Sequence, residues 1–139
     1  MKKCLLLGII LIPFLISCLD ANLPNVNGMW QLKTIQDENG ETQKVDTIFY
    51  SFQRQAIFSC TILNGDTSNY SDPTVIVYGY IDFPAKDKLH IQLDKMYENL
   101  PYQEMVLWKG MQTEYDIVRL SSKELILRQD EKKYNFVKF

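Results

Sequence analysis

The chain has few of the residues that carry enzymatic chemistry. Of its 139 residues only one is histidine, His90, so a Ser-His-Asp triad, a histidine-based zinc site or a histidine acid/base pair has no support. A glycine-rich phosphate loop, a G-x-S-x-G elbow and a calcium-binding loop are also missing from the sequence. The carboxylates are scattered singly, so glycosidase chemistry would need a pair assembled by the fold. We therefore expect no enzyme activity, no metal and no cofactor.

Cysteine is scarce as well. Three cysteines cannot build the disulfide scaffold of a small exported domain when Cys4 lies in an N-terminal leader and Cys18 is a candidate for modification. Cys60 is then without a partner, and we predict that it is a small buried apolar side chain. A reactive thiol is the alternative, although no His, Lys or Arg adjoins Cys60 to lower its pKa.

No stretch of the chain is strongly basic. Lys2 and Lys3 fall in the leader, and subtracting them from the 15 basic residues leaves 13 against 17 acidic ones, a net charge of −4. Binding to nucleic-acid phosphates calls for a stripe of Lys and Arg, so we expect no nucleic-acid partner.

The first apolar run is too short to span a membrane. It covers residues 5–16, whereas a membrane-spanning helix needs about 20 apolar residues. Two lysines precede the run and small Ser17 follows it, an arrangement typical of a secretory signal. We predict a signal peptide at residues 1–17, a polar tether at residues 18–27 and one folded domain at residues 28–139.

The end of the leader, Leu15-Ile16-Ser17-Cys18, resembles the lipobox of bacterial lipoproteins. The resemblance implies cleavage before Cys18 and attachment of a diacylglyceryl group to its thiol, which would anchor the chain to a membrane. The alternative is an ordinary cysteine in a secreted protein. Leu19 follows the cysteine where an aspartate would resemble an inner-membrane retention signal, so we expect the outer membrane of a bacterial envelope.

The remainder alternates between apolar and polar residues in short runs separated by turn residues. We predict eight strands at residues 28–35, 47–53, 56–63, 74–82, 88–94, 113–120, 124–129 and 133–139. Most connections are too short for parallel crossovers, so we expect an antiparallel up-and-down meander that closes into a barrel. Gly79, inside the fourth strand, indicates a bulge or a sharp bend.

Residues 95–112 break the alternating pattern. We predict a helical turn there, interrupted by Pro101, followed by a short strand or flap at residues 106–108. Two interpretations stay open: either its apolar side chains plug one barrel end, or Tyr97, Leu100 and Trp108 belong to a mobile lid over a binding site.

Gly28-Met29-Trp30 resembles the G-x-W that opens the first strand of lipocalins and other calycin barrels. Together with the aromatic last strand and the lipobox, it makes the chain similar to small lipocalin-like lipoproteins. The resemblance implies a tryptophan that closes one barrel end and a basic residue stacked on it, for which Arg128, Arg119 and Lys138 are candidates. Thr113-Glu114-Tyr115 faintly resembles the lipocalin T-D-Y.

Aromatic residues are the abundant feature of the strands. If the alternation holds, several of them meet inside the barrel, where they either fill the core or line a pocket for a small apolar or amphipathic ligand; these are Trp30, Tyr50, Phe52, Phe58, Tyr78, Tyr80 and Phe136. The facing of Tyr78 and Tyr80 is ambiguous because Val75 and Val77 occupy the opposite face of their strand. We expect ligand binding without catalysis. The alternative is a protein-interaction module of the envelope, a hydrolase inhibitor or an accessory subunit, with an apolar patch at residues 97–108.

Overall fold

The structure, a computed structural model, describes residues 23–63, 74–98 and 107–139. Within them the chain forms nine strands: β1 (Gly28–Gln36), β2 (Thr42–Lys44), β3 (Ile48–Gln53), β4 (Ile57–Leu63), β5 (Thr74–Ala85), β6 (Lys88–Leu93), β7 (Gln112–Leu120), β8 (Glu124–Gln129) and β9 (Lys132–Lys138). Short 3-10 turns lie at Arg54–Ala56 and Lys95–Tyr97. In these ranges no helix has the length and apolar character needed to cross a bilayer.

All strand pairs are antiparallel, and the sheet closes on itself. From β3 onward each strand pairs with the next along the chain, and β1 pairs with β9. Closure gives both edges of the meander a partner, which removes the exposed strand edges that promote association. The predicted all-β antiparallel barrel is therefore confirmed.

The nine strands occupy eight strand positions around the barrel. β2 and β3 both pair along the same side of β1, β2 with Thr34–Gln36 and β3 with Gly28–Gln31. They form one interrupted strand, which confirms the predicted number of eight. β2 was not predicted because its three residues are polar and exposed, so no apolar pattern marks them.

Three register shifts bend the strands, and none is at Gly79. They lie between Leu32 and Thr34, within residues 82–85, and between Ile117 and Arg119. Such bulges increase local twist and curvature, which helps a small barrel close. The bulge predicted at Gly79 is wrong because the register is regular there. Glycine is required instead because a Cβ at Gly79 would overlap the backbone carbonyl of Gln92.

Alternation along the strands separates a buried interior from an exposed exterior. In β6, Leu89, Ile91 and Leu93 are fully buried while His90 and Gln92 face outward, as their sequence pattern predicts. Because the strands run alternately up and down, the start of β1 and the connection from β6 to β7 lie at opposite ends of the barrel. The candidate site lies between these ends.

Candidate functional site

The barrel interior is an aromatic cluster. Trp30, Tyr50, Phe52, Phe58 and Phe136 are each at most 1% exposed. Ring centroids of Tyr50 are 5.1 Å from Phe58 and 4.9 Å from Phe136, so the strands bring these predicted residues into mutual contact. Such contacts each stabilise the fold by about 0.5–1.5 kcal/mol beyond the burial of area. The interior has the apolar character expected of a site for an apolar molecule.

Tyr78 and Tyr80 do not belong to this cluster. Their side chains are 50% and 55% exposed, and they lie on the outer face of β5, while Val77 before them and Ile81 after them are buried. The inward position considered for them is therefore wrong. The physical reason is that β5 has apolar residues on both faces, so the sequence pattern alone does not distinguish inside from outside. The Tyr80 hydroxyl donates to Asp94 Oδ2 on the surface at 3.2 Å.

The connection from β6 to β7 adds two aromatic residues to the interior. The predicted helical turn is present at Lys95–Tyr97, where Asp94 Oδ1 accepts from the Met96 N–H at 3.0 Å. Tyr97 is 5% exposed, and its hydroxyl accepts from the Tyr78 N–H at 3.2 Å. Of the short strand or flap predicted at residues 106–108, the strand is wrong for Leu107 and Trp108, which lie in a bent segment without strand pairing. Residue 106 lies outside the described ranges.

Trp108 enters the barrel interior. It is 6% exposed, and its ring centroid is 6.4 Å from Tyr50, 6.2 Å from Phe58 and 6.3 Å from Tyr115. The apolar surface patch expected around Tyr97 and Trp108 is wrong for these two residues because both point inward. Leu100, the third residue of the predicted lid, lies outside the described residues, as does Cys18.

A few polar atoms are buried within the aromatic cluster. The Tyr50 and Tyr115 hydroxyls are 3.2 Å apart, and the Tyr115 ring contacts Tyr134 at 5.6 Å between centroids. Burial raises the pKa of both Tyr50 and Tyr115 well above that of free tyrosine, so both stay neutral. Burial likewise raises the pKa of the Cys60 thiol to about 12, which makes Cys60 an inert core residue.

Trp108 also carries an unpaired donor. Among the described residues, its Nε1 is the buried side-chain nitrogen or oxygen that lacks a hydrogen-bond partner. Neither this donor nor Tyr115 was predicted as part of the site. Tyr115 was detectable in principle, because Thr113 and Tyr115 alternate inward along β7. Trp108 was predicted as a residue of a possible lid, but its inward direction was not predictable because it lies in a connection with no periodic pattern.

The opposite end of the barrel is closed by Trp30. Its Nε1–H donates to the Val26 carbonyl at 2.7 Å, and Lys138 Nζ lies 4.3 Å from the ring centroid, close enough for cation–π attraction. Lys138 also donates to the Asn27 carbonyl. Gly28 has a φ of +120°, a backbone conformation that residues with a Cβ rarely adopt, so this position favours glycine. Of the three basic candidates, Lys138 is the one stacked on the tryptophan.

The other two candidates are engaged outside the barrel. Arg119 pairs with Glu124 at 3.1 Å, and Arg128 pairs with Asp116 at 2.9 Å. Hydrogen bonds from Lys88 and then Arg128 lower the pKa of Asp116. These pairs are exposed, so they contribute little to stability.

The outer surface also carries clusters of polar and charged groups. His90 lies between Asp82 and Gln112 on the outer face of β6. An open groove of about 620 Å³ is lined by charged residues that include Glu131, Arg128 and Lys133. Within the described ranges, no group of three or more His, Cys, Asp or Glu residues is placed to hold a metal ion.

Comparisons with known proteins agree with this geometry. A family model described as a lipocalin-like domain matches residues 13–139. The crystal structure of a lipocalin-like protein from Bacteroides uniformis ATCC 8492 is 26% identical, with a TM-score of 0.72 over 84% of this chain and 100% of that one. That of an uncharacterized protein from Bacteroides eggerthii DSM 20697 is 27% identical, with a TM-score of 0.66 over 81% of this chain and 98% of that one. No match was found among curated proteins.

Proposed function

Because this chain belongs to the lipocalin-like domain family, we propose that it is a membrane-anchored envelope protein whose barrel binds a small apolar or amphipathic molecule without catalysing a reaction. The observation that carries the proposal is the buried aromatic interior, which Trp108 enters from the β6–β7 connection. Eight-stranded barrels have room for their own side chains or for one small ligand. Trp108 and Tyr97 are interior aromatics that come from a connection rather than from a strand. The Tyr97 hydroxyl is hydrogen-bonded to the Tyr78 N–H whereas Trp108 Nε1 has no partner among the described residues, so we expect Trp108 to be displaced to make room for a ligand.

The binding part of the proposal is tested with a fluorescent probe. The Cys18→Ala chain recovered in the aqueous phase is titrated with N-phenyl-1-naphthylamine, a neutral aromatic whose emission rises in apolar surroundings. We expect saturable binding. Adding Trp108→Ala should tighten it by about threefold or more, because the truncation vacates space that the probe otherwise has to open.

Tyr80→Ala is the matched control, since it removes an aromatic ring from the outer face of the same barrel. It should leave the dissociation constant of the probe unchanged. Absence of saturable binding in both the Cys18→Ala chain and its Trp108→Ala derivative, each shown to be folded, would contradict the proposal.

The anchor is proposed at Cys18, through a lipid on its sulfur, with the outer membrane as location. The lipobox resemblance supports it, and two or more acyl chains are enough for stable attachment. The native chain should partition into the detergent phase, and Cys18→Ala should move it to the aqueous phase or block its maturation. Cys60→Ala is the control, because that thiol is buried in the core. A Cys18→Ala chain that has lost its leader and still partitions like the native one would exclude this anchor.

A protein-interaction module of the envelope is the second candidate. It is favoured by one observation, the outward stripe of Ile76, Tyr78 and Tyr80, which are 43–55% exposed on a single face of β5. Tyrosines at such exposed positions are frequent in protein interfaces. Replacing Tyr78 and Tyr80 by serine should then release an envelope protein that co-purifies with the native chain, whereas Met29→Ser, at another exposed site, should retain it. Equal retention by both variants would exclude this role for the stripe.

A further inference from the structure

We propose that the barrel interior selects an uncharged ligand that presents a hydrogen-bond acceptor, such as a ketone or ester carbonyl on an apolar or aromatic body. This inference rests on the proposed function, because it names the chemical class of the molecule that enters the barrel. It comes from an excess of buried donors in the interior, grouped around Trp108.

The first donor is the Trp108 indole N–H. Only 6% of the residue is exposed, and among the described residues Nε1 has no hydrogen-bond partner. A buried donor without an acceptor is costly because it has lost its hydrogen bonds to water. An acceptor brought by a ligand would recover that loss, which an all-carbon ligand could not do.

The second donor belongs to the pair of tyrosine hydroxyls. Tyr50 and Tyr115 share one hydrogen bond at 3.2 Å, and two hydroxyls contain two protons. Their mutual bond uses one of these two protons, so one of the two hydroxyls still has a proton to donate. The rings of both tyrosines contact Trp108, with centroids 6.4 and 6.3 Å away. The Trp108 ring therefore packs against both tyrosines that share the second donor.

The ligand is uncharged because the interior offers no counter-charge. Among the described residues, the polar or charged side chains that are buried are Ser59 and Thr113, and neither is a cation. An anion buried without a cation would pay a large desolvation cost. Burial also raises the pKa of Tyr50 and Tyr115, which means that the interior disfavours a negative charge on the protein's own side chains as well.

Three small probes of similar size separate the relevant chemistries. Acetophenone has a neutral carbonyl, ethylbenzene has the same ring without an acceptor, and benzoate has an anionic acceptor. They are added to the full chain carrying Cys18→Ala while the indole N–H resonances are followed by NMR. The chain has two tryptophans, and Trp30, already bonded to the Val26 carbonyl, is an internal reference. Trp108→Phe assigns the second resonance.

We expect acetophenone to move the Trp108 indole proton downfield and to leave the Trp30 resonance in place, whereas ethylbenzene binds without that downfield shift. Because the two probes differ in hydrophobicity, the quantity compared is the ratio of their dissociation constants. Trp108→Phe keeps a ring and removes the N–H, so it should weaken acetophenone relative to ethylbenzene by about fivefold, the size of one net hydrogen bond. Tyr115→Phe should act in the same direction.

The other outcomes count against the inference in distinguishable ways. If both neutral probes bind but neither the indole resonance nor the ratio responds, the acceptor requirement is refuted while the proposed function stands. Benzoate acting at lower concentration than acetophenone would refute the uncharged class. An indole proton that exchanges magnetisation with a bound water and ignores acetophenone would show that water satisfies the donor. If neither the neutral probes nor N-phenyl-1-naphthylamine bind, the proposed function fails with the inference.

Discussion

The hydroxyl pair of Tyr50 and Tyr115 predicts that two destabilising substitutions cancel each other. Both residues are fully buried, and their hydroxyls bond to each other at 3.2 Å. Tyr50→Phe removes one hydroxyl and leaves that of Tyr115 without its partner in an apolar environment. Tyr115→Phe likewise leaves the Tyr50 hydroxyl without its partner. The double substitution removes both hydroxyls, so no hydroxyl is left without its partner.

The magnitudes follow from this difference. Each single variant should lose about 1–3 kcal/mol of unfolding free energy, the cost of leaving one buried polar group without its partner. The double variant should lie within about 1 kcal/mol of the native chain, because replacing both partners by apolar groups of similar shape is nearly neutral. The double variant should therefore be more stable than either single variant, and the coupling energy, which is the sum of the two single losses minus the loss in the double variant, should be about 1–6 kcal/mol.

Equilibrium unfolding in urea, followed by tryptophan fluorescence, measures all four corners of this cycle on the full Cys18→Ala chain. Tyr80→Phe is the matched control, because it removes an exposed hydroxyl that bonds to Asp94, and it should leave the midpoint unchanged. If the two single losses simply add in the double variant, the hydroxyls do not depend on each other and the proposed excess of buried donors loses its basis.

Three further predictions concern the barrel itself. Gly79→Ala should lower the unfolding free energy by about 1–3 kcal/mol, because the added Cβ meets the Gln92 backbone and forces two paired strands apart. A urea midpoint equal to that of the native chain would contradict this close approach. The unfolding free energy should fall as pH rises above about 9, because the pKa of the Cys60 thiol is near 9.0 in the unfolded chain and about 12 in the folded one; the expected slope is about 1.4 kcal/mol per pH unit. Cys60→Ala should reduce this slope between pH 9 and 10. The raised pKa values of Tyr50 and Tyr115 should continue the loss of stability above pH 10. Lys138→Met keeps the apolar stem but loses the cation over Trp30, so the unfolding free energy should fall by about 0.5–1 kcal/mol. Lys138→Arg keeps the charge and should be close to the native chain in stability. Equal urea midpoints for the two variants would rule out a contribution from the charge.

The strands were predictable wherever one face is apolar and the other polar. β6 shows this directly, since Leu89, Ile91 and Leu93 alternate with polar residues and all three are buried. β2 escaped prediction because a short polar strand held only by backbone pairing has no side-chain pattern. Tyr78 and Tyr80 could not be placed because β5 is apolar on both faces, so the orientation of that strand is decided by its neighbours in the sheet.

The site was predictable in composition but not in its polar detail. Five of the seven predicted aromatics meet inside the barrel because they lie on strands, where period-two alternation orients them. Trp108 comes from a connection, and its direction depends on how the chain returns between β6 and β7. The stacking of Lys138 on Trp30 depends on the pairing of β1 with β9, two strands at opposite ends of the sequence. Sequence spacing does not contain that pairing register.

The two tryptophans differ in a way that assigns the barrel ends different roles under the proposed function. Trp30 donates to the Val26 carbonyl and lies beneath Lys138, so moving it would break a hydrogen bond and a cation–π contact together. Trp108 donates to no described residue, so moving it sacrifices ring contacts alone, and an acceptor on an incoming ligand would compensate part of that loss. Because Trp30 lies at the β1 start and Trp108 belongs to the connection at the opposite end, we expect a ligand to enter from the β6–β7 side. A Trp30→Phe variant that admits N-phenyl-1-naphthylamine as readily as Trp108→Ala does would refute this direction of entry.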